Sequence, residues 1–126
     1  MKTNIIYGDK EIVIEENNKI ICIGYDQIDY ISTNRPYLEI ITTEKRTVLC
    51  EQSLSEMQKK LPPCFFRCNR SFIVNLLHIC LFQKEKNRYY FYISYTNKKF
   101  KIAAKSTKAF KRQLIATKNQ MIKNEH

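Results

Sequence analysis

Phe65-Phe66-Arg67-Cys68-Asn69-Arg70-Ser71-Phe72-Ile73-Val74-Asn75-Leu76-Leu77-His78-Ile79 sets a polar and basic insert, Arg67 to Ser71, between two apolar segments. The flanks, Cys64–Arg67 and Phe72–Val74, read as short strands, so the insert leaves the sheet as a loop with Asn69 and Arg70 projecting outward. Arginine and asparagine are the side chains able to contact guanine and adenine edges bidentately in a duplex major groove. Arg70 is therefore the first candidate for base readout and Asn69 the second. Their bland alternatives are a solvated surface arginine and an asparagine that caps its own turn. Asn75 is expected to serve a turn or to tie backbone, a structural role.

Working outward, most of the chain reads as strands. Glu11–Glu15 and Lys19–Ile23 flank Asn17-Asn18, and asparagine tolerates the left-handed conformation of a tight hairpin. Ile28–Thr33, Tyr37–Thr42, Lys45–Leu49, Ile79–Gln83, Arg88–Tyr95 and Lys99–Ile102 carry the β-branched and aromatic residues that suit a half-buried pleat. Asn34-Arg35-Pro36, Thr43-Glu44 and Thr96-Asn97-Lys98 break these runs. The chain has only two glycines, so asparagine and charged residues must make most of the turns.

Two helices are predicted. Ser53-Leu54-Ser55-Glu56 has capping-box spacing, Leu54, Met57 and Leu61 share a face, and Pro62-Pro63 ends the helix over Ser53–Lys60. Thr107–Lys118 is a basic amphipathic helix, with Thr107, Phe110, Leu114 and Met121 on one face. The expected fold is mainly β: an elongated antiparallel β-sandwich of short strands, with one short central helix and a C-terminal basic helix. Residues 1–10 are set apart as an N-terminal extension, 11–118 as the domain, and 119–126 as a tail.

Length and charge narrow the function. At 126 residues there is room for one ordinary domain, and 44% hydrophobic residues supply a core. No apolar run spans a membrane, and the N-terminus lacks the pattern of a secretory signal. Five cysteines (Cys22, Cys50, Cys64, Cys68, Cys80) are an odd number, expected to be reduced and mostly buried in a cytoplasmic protein. Residues 1–63 hold 8 basic and 10 acidic residues, a net −2; residues 64–126 hold 14 and 2, a net +12. So lopsided a field favours a polyanion on the second half. Composition alone does not separate DNA from RNA or an anionic membrane surface, nor any of these from a solvated surface.

Enzyme chemistry finds little support: there are two histidines, no legible Ser-His-Asp arrangement and no glycine-rich phosphate loop. Cys64, Cys68, His78 and Cys80 have loose zinc-ligand spacing, but Cys64, Phe66 and Cys68 also alternate as small core residues would, and no metal or other cofactor is expected. The strand Tyr89–Tyr95 offers a second reading, a single-stranded RNA- or DNA-binding platform. Alternation puts Tyr90, Tyr92 and Ser94 on one face and Tyr89, Phe91, Ile93 and Tyr95 on the other, and one of these faces must cover the core. A third reading is a protein- or lipid-interaction module whose charge only steers association.

Residues 65–79 resemble the signature of the LytTR family of bacterial DNA-binding regulators, approximately F-x-R-x-[HN]-[RKN]-S-x-x-V-N-x-x-x-I. The likeness extends to Asp26–Ile31, Tyr37, Gln52–Met57, Lys101–Ser106 and Phe110-Lys111, covering about Glu11 to Leu114. The resemblance implies a transcription regulator of the response-regulator kind, reading successive major grooves of double-stranded promoter DNA through three loops, here Asn34–Tyr37, Asn69–Arg70 and Lys105–Ser106. Base readout falls on Arg70, Asn69, Tyr37, Asn34 and Lys105. Phosphate contacts fall on Arg67, Arg35, Lys101, Ser106 and Lys108. Ala104 and Lys105 stand where the family usually has serine and arginine, which makes the third loop more positioning than specifying. Two copies on repeated half-sites and a membrane-bound regulatory partner are further implications; no small-molecule substrate is expected. The length leaves no space for a receiver domain, and Met1 with its ordinary tail favours a stand-alone protein.

Overall fold

A computed structural model describes residues 3–94 and 98–124. The strands are β1 (Asn4–Tyr7), β2 (Glu11–Glu16), β3 (Lys19–Gly24), β4 (Ile28–Asn34), β5 (Tyr37–Thr42), β6 (Thr47–Cys50), β7 (Phe65–Asn69), β8 (Phe72–Asn75), β9 (Ile79–Glu85), β10 (Arg88–Ile93) and β11 (Lys99–Ile102). Helix α1 spans Leu54–Lys60 and α2 spans Thr107–Asn124. All strand pairs are antiparallel and form three sheets, ordered β1-β2-β3, β6-β5-β4-β8-β7 and β11-β10-β9. The mainly-β expectation holds, with the strands shared among three sheets.

The five-stranded sheet lies between two cores, because neighbouring residues of a strand point to opposite faces. Ile31 of β4 and Ile73 of β8 face an aliphatic core built with Ile12, Ile14 and Ile23 of the first sheet and Leu54, Met57 and Leu61 around α1. Tyr30 and Phe72, next to them in sequence, face an aromatic core with Phe91 of β10, Phe100 of β11 and Phe110 of α2. In that second core Phe110 lies 5.3 Å from Phe66, 5.0 Å from Phe82 and 5.1 Å from Phe91, centroid to centroid.

Local chemistry accounts for the element ends. Ser53 caps α1 by accepting a hydrogen bond from the Glu56 backbone N–H at 3.1 Å, the hydroxyl half of the expected box, while the Glu56 carboxylate lies 3.7 Å from Lys59 Nζ. Asn17 turns the β2–β3 hairpin at φ 50°, and Lys45 and Lys86 take φ 67° and 52°, so asparagine and charged residues do make these turns. The Arg35–Pro36 peptide is cis. Helix α2 continues past Lys118 to Asn124 and is pinned there: Lys118 Nζ donates to the Leu77 carbonyl at 2.8 Å, and burial pulls its ammonium below the ordinary lysine range.

Asn75 has the structural role expected of it. Its buried side chain donates to the Tyr25 carbonyl at 3.1 Å and the Ile28 carbonyl at 2.9 Å, and accepts from Leu77 N–H at 3.0 Å. Tyr25 and Ile28 both belong to the aliphatic core, so one amide ties the turn that follows β8 to the backbone that leads into β4.

Two features depart from the sequence reading. Residues 4–7, inside the stretch set apart as an extension, form β1, where Ile5 and Tyr7 alternate onto the aliphatic core and Tyr7 Oη donates to Gln52 Oε1 at 2.6 Å. The cysteines are not mostly buried: Cys50 and Cys68 are, Cys64 is half-buried, and Cys22 and Cys80 are exposed. Both exposed thiols sit on edge strands, β3 and β9, where a neighbouring strand is missing on one side. The turn at Thr96-Asn97-Lys98 and the residue Tyr95 fall wholly or partly outside the described residues.

Candidate nucleic-acid interface

Strand register brings two of the three candidate loops together. β4 and β8 run antiparallel with Ser32 opposite Phe72, and Thr33 N–H donates to the Ser71 carbonyl at 3.0 Å. The β4–β5 hairpin tip (34–37) and the β7–β8 tip (69–71) therefore emerge side by side from one end of the five-stranded sheet. Between them and the start of α1 lies an open cleft of about 720 Å³, lined among others by Arg35, Tyr37, Arg67 and Arg70. Tyr37 is 41% exposed there, a phenol held out on a rigid strand rather than packed inward.

The tip residues differ in what they leave available. Arg70 is exposed, and its guanidinium has no hydrogen-bond or ionic partner among the described residues. Asn69 does cap its turn, accepting the Ser71 N–H on Oδ1 at 2.8 Å, which leaves its exposed Nδ2 without a partner among the described residues. Asn34 is partly engaged, since Nδ2 donates to Glu39 Oε1 at 2.7 Å on the next strand. Arg67, also on the cleft, is engaged within the protein: Nε donates to the Asn69 carbonyl at 2.8 Å and Nη2 to the Arg70 carbonyl at 3.0 Å. Its Nη1 donates to Ser55 Oγ at 3.0 Å and Gln58 Oε1 at 3.2 Å, both on α1. Neither Ser55 nor Gln58 stands out as a site residue in the sequence, although their three-residue spacing puts both on one helical face.

The remaining candidates belong to the other side of the molecule. Lys105 and Ser106 form a single 3-10 turn (Ala104–Ser106) between β11 and α2, with Lys105 exposed, Ser106 half-buried and Ser106 N–H donating to the Ala103 carbonyl at 2.9 Å. Lys108 is exposed on the first turn of α2 and Lys101 on β11 opposite Tyr90. None of the four lines the cleft between the hairpin tips. The aromatic strand β10 has Phe91 and Ile93 fully inside the second core and Tyr89 stacked on Phe82 at 5.3 Å. On its other face, Lys99 Nζ sits 4.4 Å over the Tyr90 ring, and Tyr92 Oη donates to Glu85 Oε2 at 3.1 Å. Hydrogen bonds from Lys99 first, then Gln83, hold the Glu85 carboxyl below its usual range, and its charge is paired with the Lys99 ammonium at 3.1 Å.

The residues with zinc-like spacing are directed elsewhere. Cys68 is inside the aromatic core, His78 Nδ1 lies 2.7 Å from Asp29 Oδ1, and Cys80 Sγ points to the Tyr92 carbonyl at 3.5 Å. Among the described residues no cluster of three or more such side chains could hold a metal ion, and no helix is long and apolar enough to cross a membrane.

The family model for the LytTr DNA-binding domain matches residues 18–115. No curated protein matches the chain. Among solved structures, the chain is similar to the LytTr DNA-binding domain of a protein described as a methyl-accepting/DNA response regulator from Bacillus cereus. The TM-score is 0.70 at 21% identity, over 85% of this chain and 98% of that one. That likeness lies in the fold, while the family match spans well over half of the sequence and includes both hairpin tips. The chain belongs to the LytTR family of DNA-binding domains.

Proposed function

We propose that this domain binds double-stranded promoter DNA sequence-specifically and acts as a cytoplasmic transcription regulator. The observation that carries the reading is the pair of adjacent hairpin tips presenting Arg70, with an unengaged guanidinium, beside Arg35 and Tyr37 on one basic cleft. Base edges are read by Arg70, by the exposed amide of Asn69, and more weakly by Tyr37, Asn34 and Lys105. Arg35, Lys101, Ser106 and Lys108 contact phosphates, which fixes register on the duplex without specifying sequence. The separation of Lys105 from the first two loops fits a third contact made further along the helix. Two copies engage repeated half-sites.

The single-strand reading is disfavoured by the outer face of β10. Its two rings are engaged, Tyr90 beneath Lys99 and Tyr92 on Glu85, so stacking a base on either means breaking a contact already made. Selection from a random duplex library at near-physiological salt tests the proposal. Recovery of a short motif, repeated at about one helical turn, is the expected result. Arg70→Ala then costs about 1–3 kcal/mol on the recovered site and relaxes preference at one position. Enrichment of unpaired strands, with binding lost on Tyr90 or Tyr92 replacement, would sink it.

A further inference from the structure

We infer that Arg67 is a positioning residue that locks the Asn69–Ser71 tip onto helix α1, and that it acts on base discrimination through the tip rather than by touching a phosphate. The inference rests on the duplex-reading proposal above for its functional consequence, though the lock itself is a property of the free protein.

The local sequence explains why the side chain points where it does. Phe65 and Arg67 are two residues apart on β7 and share a face, and Phe65 packs on the aliphatic core that α1 covers with Leu54, Met57 and Leu61. Phe66 and Cys68 take the opposite face, into the aromatic core. Arg67 is thus delivered to the α1 side, just where the sheet ends and the core gives way to solvent. A register irregularity between Arg67 and Asn69 loosens the β7–β8 ladder at that point, so the last residues of the hairpin have less support from strand pairing. The guanidinium supplies what the ladder does not. Of its five N–H donors, four are used: one on the Asn69 carbonyl, one on the Arg70 carbonyl, and two on Ser55 and Gln58 of α1. Two successive carbonyls of the recognition tip and two side chains of the helix are held by one planar group.

That geometry needs an arginine. An ammonium concentrates three donors at one point and cannot bridge carbonyls on one side and a helix on the other. Lysine at position 67 therefore keeps the charge and loses the lock, which separates this role from a phosphate contact. Base readout depends on holding Arg70 within a fraction of an ångström of its productive position, so a loosened tip loses discrimination before it loses general affinity.

The experiment compares wild type, Arg67→Lys, Arg67→Gln and the double variant Ser55→Ala/Gln58→Ala. The double variant leaves Arg67 and the net charge intact and changes only exposed helix positions. Amide hydrogen exchange at residues 69–71 is followed in the free proteins, and binding to the selected duplex and to a scrambled duplex is followed across salt. Arg67→Lys is expected to lower the ratio of specific to non-specific affinity about tenfold, with the salt dependence unchanged. The double variant should move the ratio in the same direction by less, and both should exchange the tip amides faster. The inference is overturned if Arg67→Lys keeps full discrimination and tip protection while Arg67→Gln weakens both duplexes equally, with a salt slope reduced by about one. If the wild type itself discriminates between no duplexes, the duplex-reading proposal fails. The lock then stands or falls on tip exchange alone: faster in Arg67→Lys supports it, unchanged refutes it.

Discussion

The two faces of the central sheet are packed with different chemistry. One is covered by Ile12, Ile14, Ile28, Ile31, Ile40 and Ile73, with the helix residues Leu54 and Met57. The other is a chain of rings, running from Tyr30 and Phe72 through Phe100 and Phe91 to Phe110, Phe66 and Phe82. The aliphatic side is drawn mostly from the half of the sequence with net charge −2, the aromatic side mostly from the half with +12. Branched aliphatic side chains fill a sheet-on-sheet gap by volume, whereas rings interlock in specific edge and stacked arrangements and span longer gaps. The aromatic side has to join a short sheet and a long helix to the central sheet. The hairpin tips that carry Arg35, Tyr37 and Arg70 grow from the sheet that both sides grip.

Four measurements would break or sharpen that contrast. The largest effect is expected from Phe110→Ala, which removes a fully buried ring touching three others. It should cost about 3–5 kcal/mol in a urea titration and free α2 from the sheet. A loss below about 1 kcal/mol would mean that the rings are not the cement of that side. Next comes Asn75→Ala, which unties the turn after β8 from the backbone leading into β4. It strands two carbonyls and an N–H without partners, and a loss of about 3 kcal/mol is expected in the same titration. Ile40→Leu, on the aliphatic face, conserves volume and should cost no more than about 1.5 kcal/mol in the same titration. A larger penalty there would erase the distinction between a side packed by volume and one packed by geometry. The smallest perturbation is thiol labelling of the native protein. Exposed Cys22 and Cys80 should react first, while Cys50 and Cys68, whose thiols burial pushes up to about 12, should react only on unfolding. Early reaction of Cys68 would show that the aromatic side opens on its own.

Much of the fold was legible because its signals are local. Alternation located ten of the strands, Ser53 with Glu56 and Pro62 bounded α1, and the insert at Arg67–Ser71 announced a hairpin tip between two buried strands. β1 escaped notice because it has four residues, of which only Ile5 and Tyr7 face the core. Cys80 reads as buried within Ile79–Phe82, yet it lies on an edge strand, and edges are invisible until strand order is known. Residue types at the site were legible; their engagements were not. Asn69, Asn34 and Arg67 all look like outward polar groups in one dimension, but each donates or accepts at least one bond within the protein.

The sequence by itself determined the β-rich pattern, the basic second half and the polar insert that becomes a loop, because these follow from side-chain period, net charge and turn chemistry within a few residues. Only the tertiary structure decided that tips 35 residues apart stand side by side, that Asn75 reaches back to the Tyr25 and Ile28 carbonyls, and that Arg67 faces a helix while Arg70 faces solvent. Strand pairing between β4 and β8 sets those outcomes, and pairing across so long a separation depends on which apolar faces find each other, a property of the packed whole rather than of any segment.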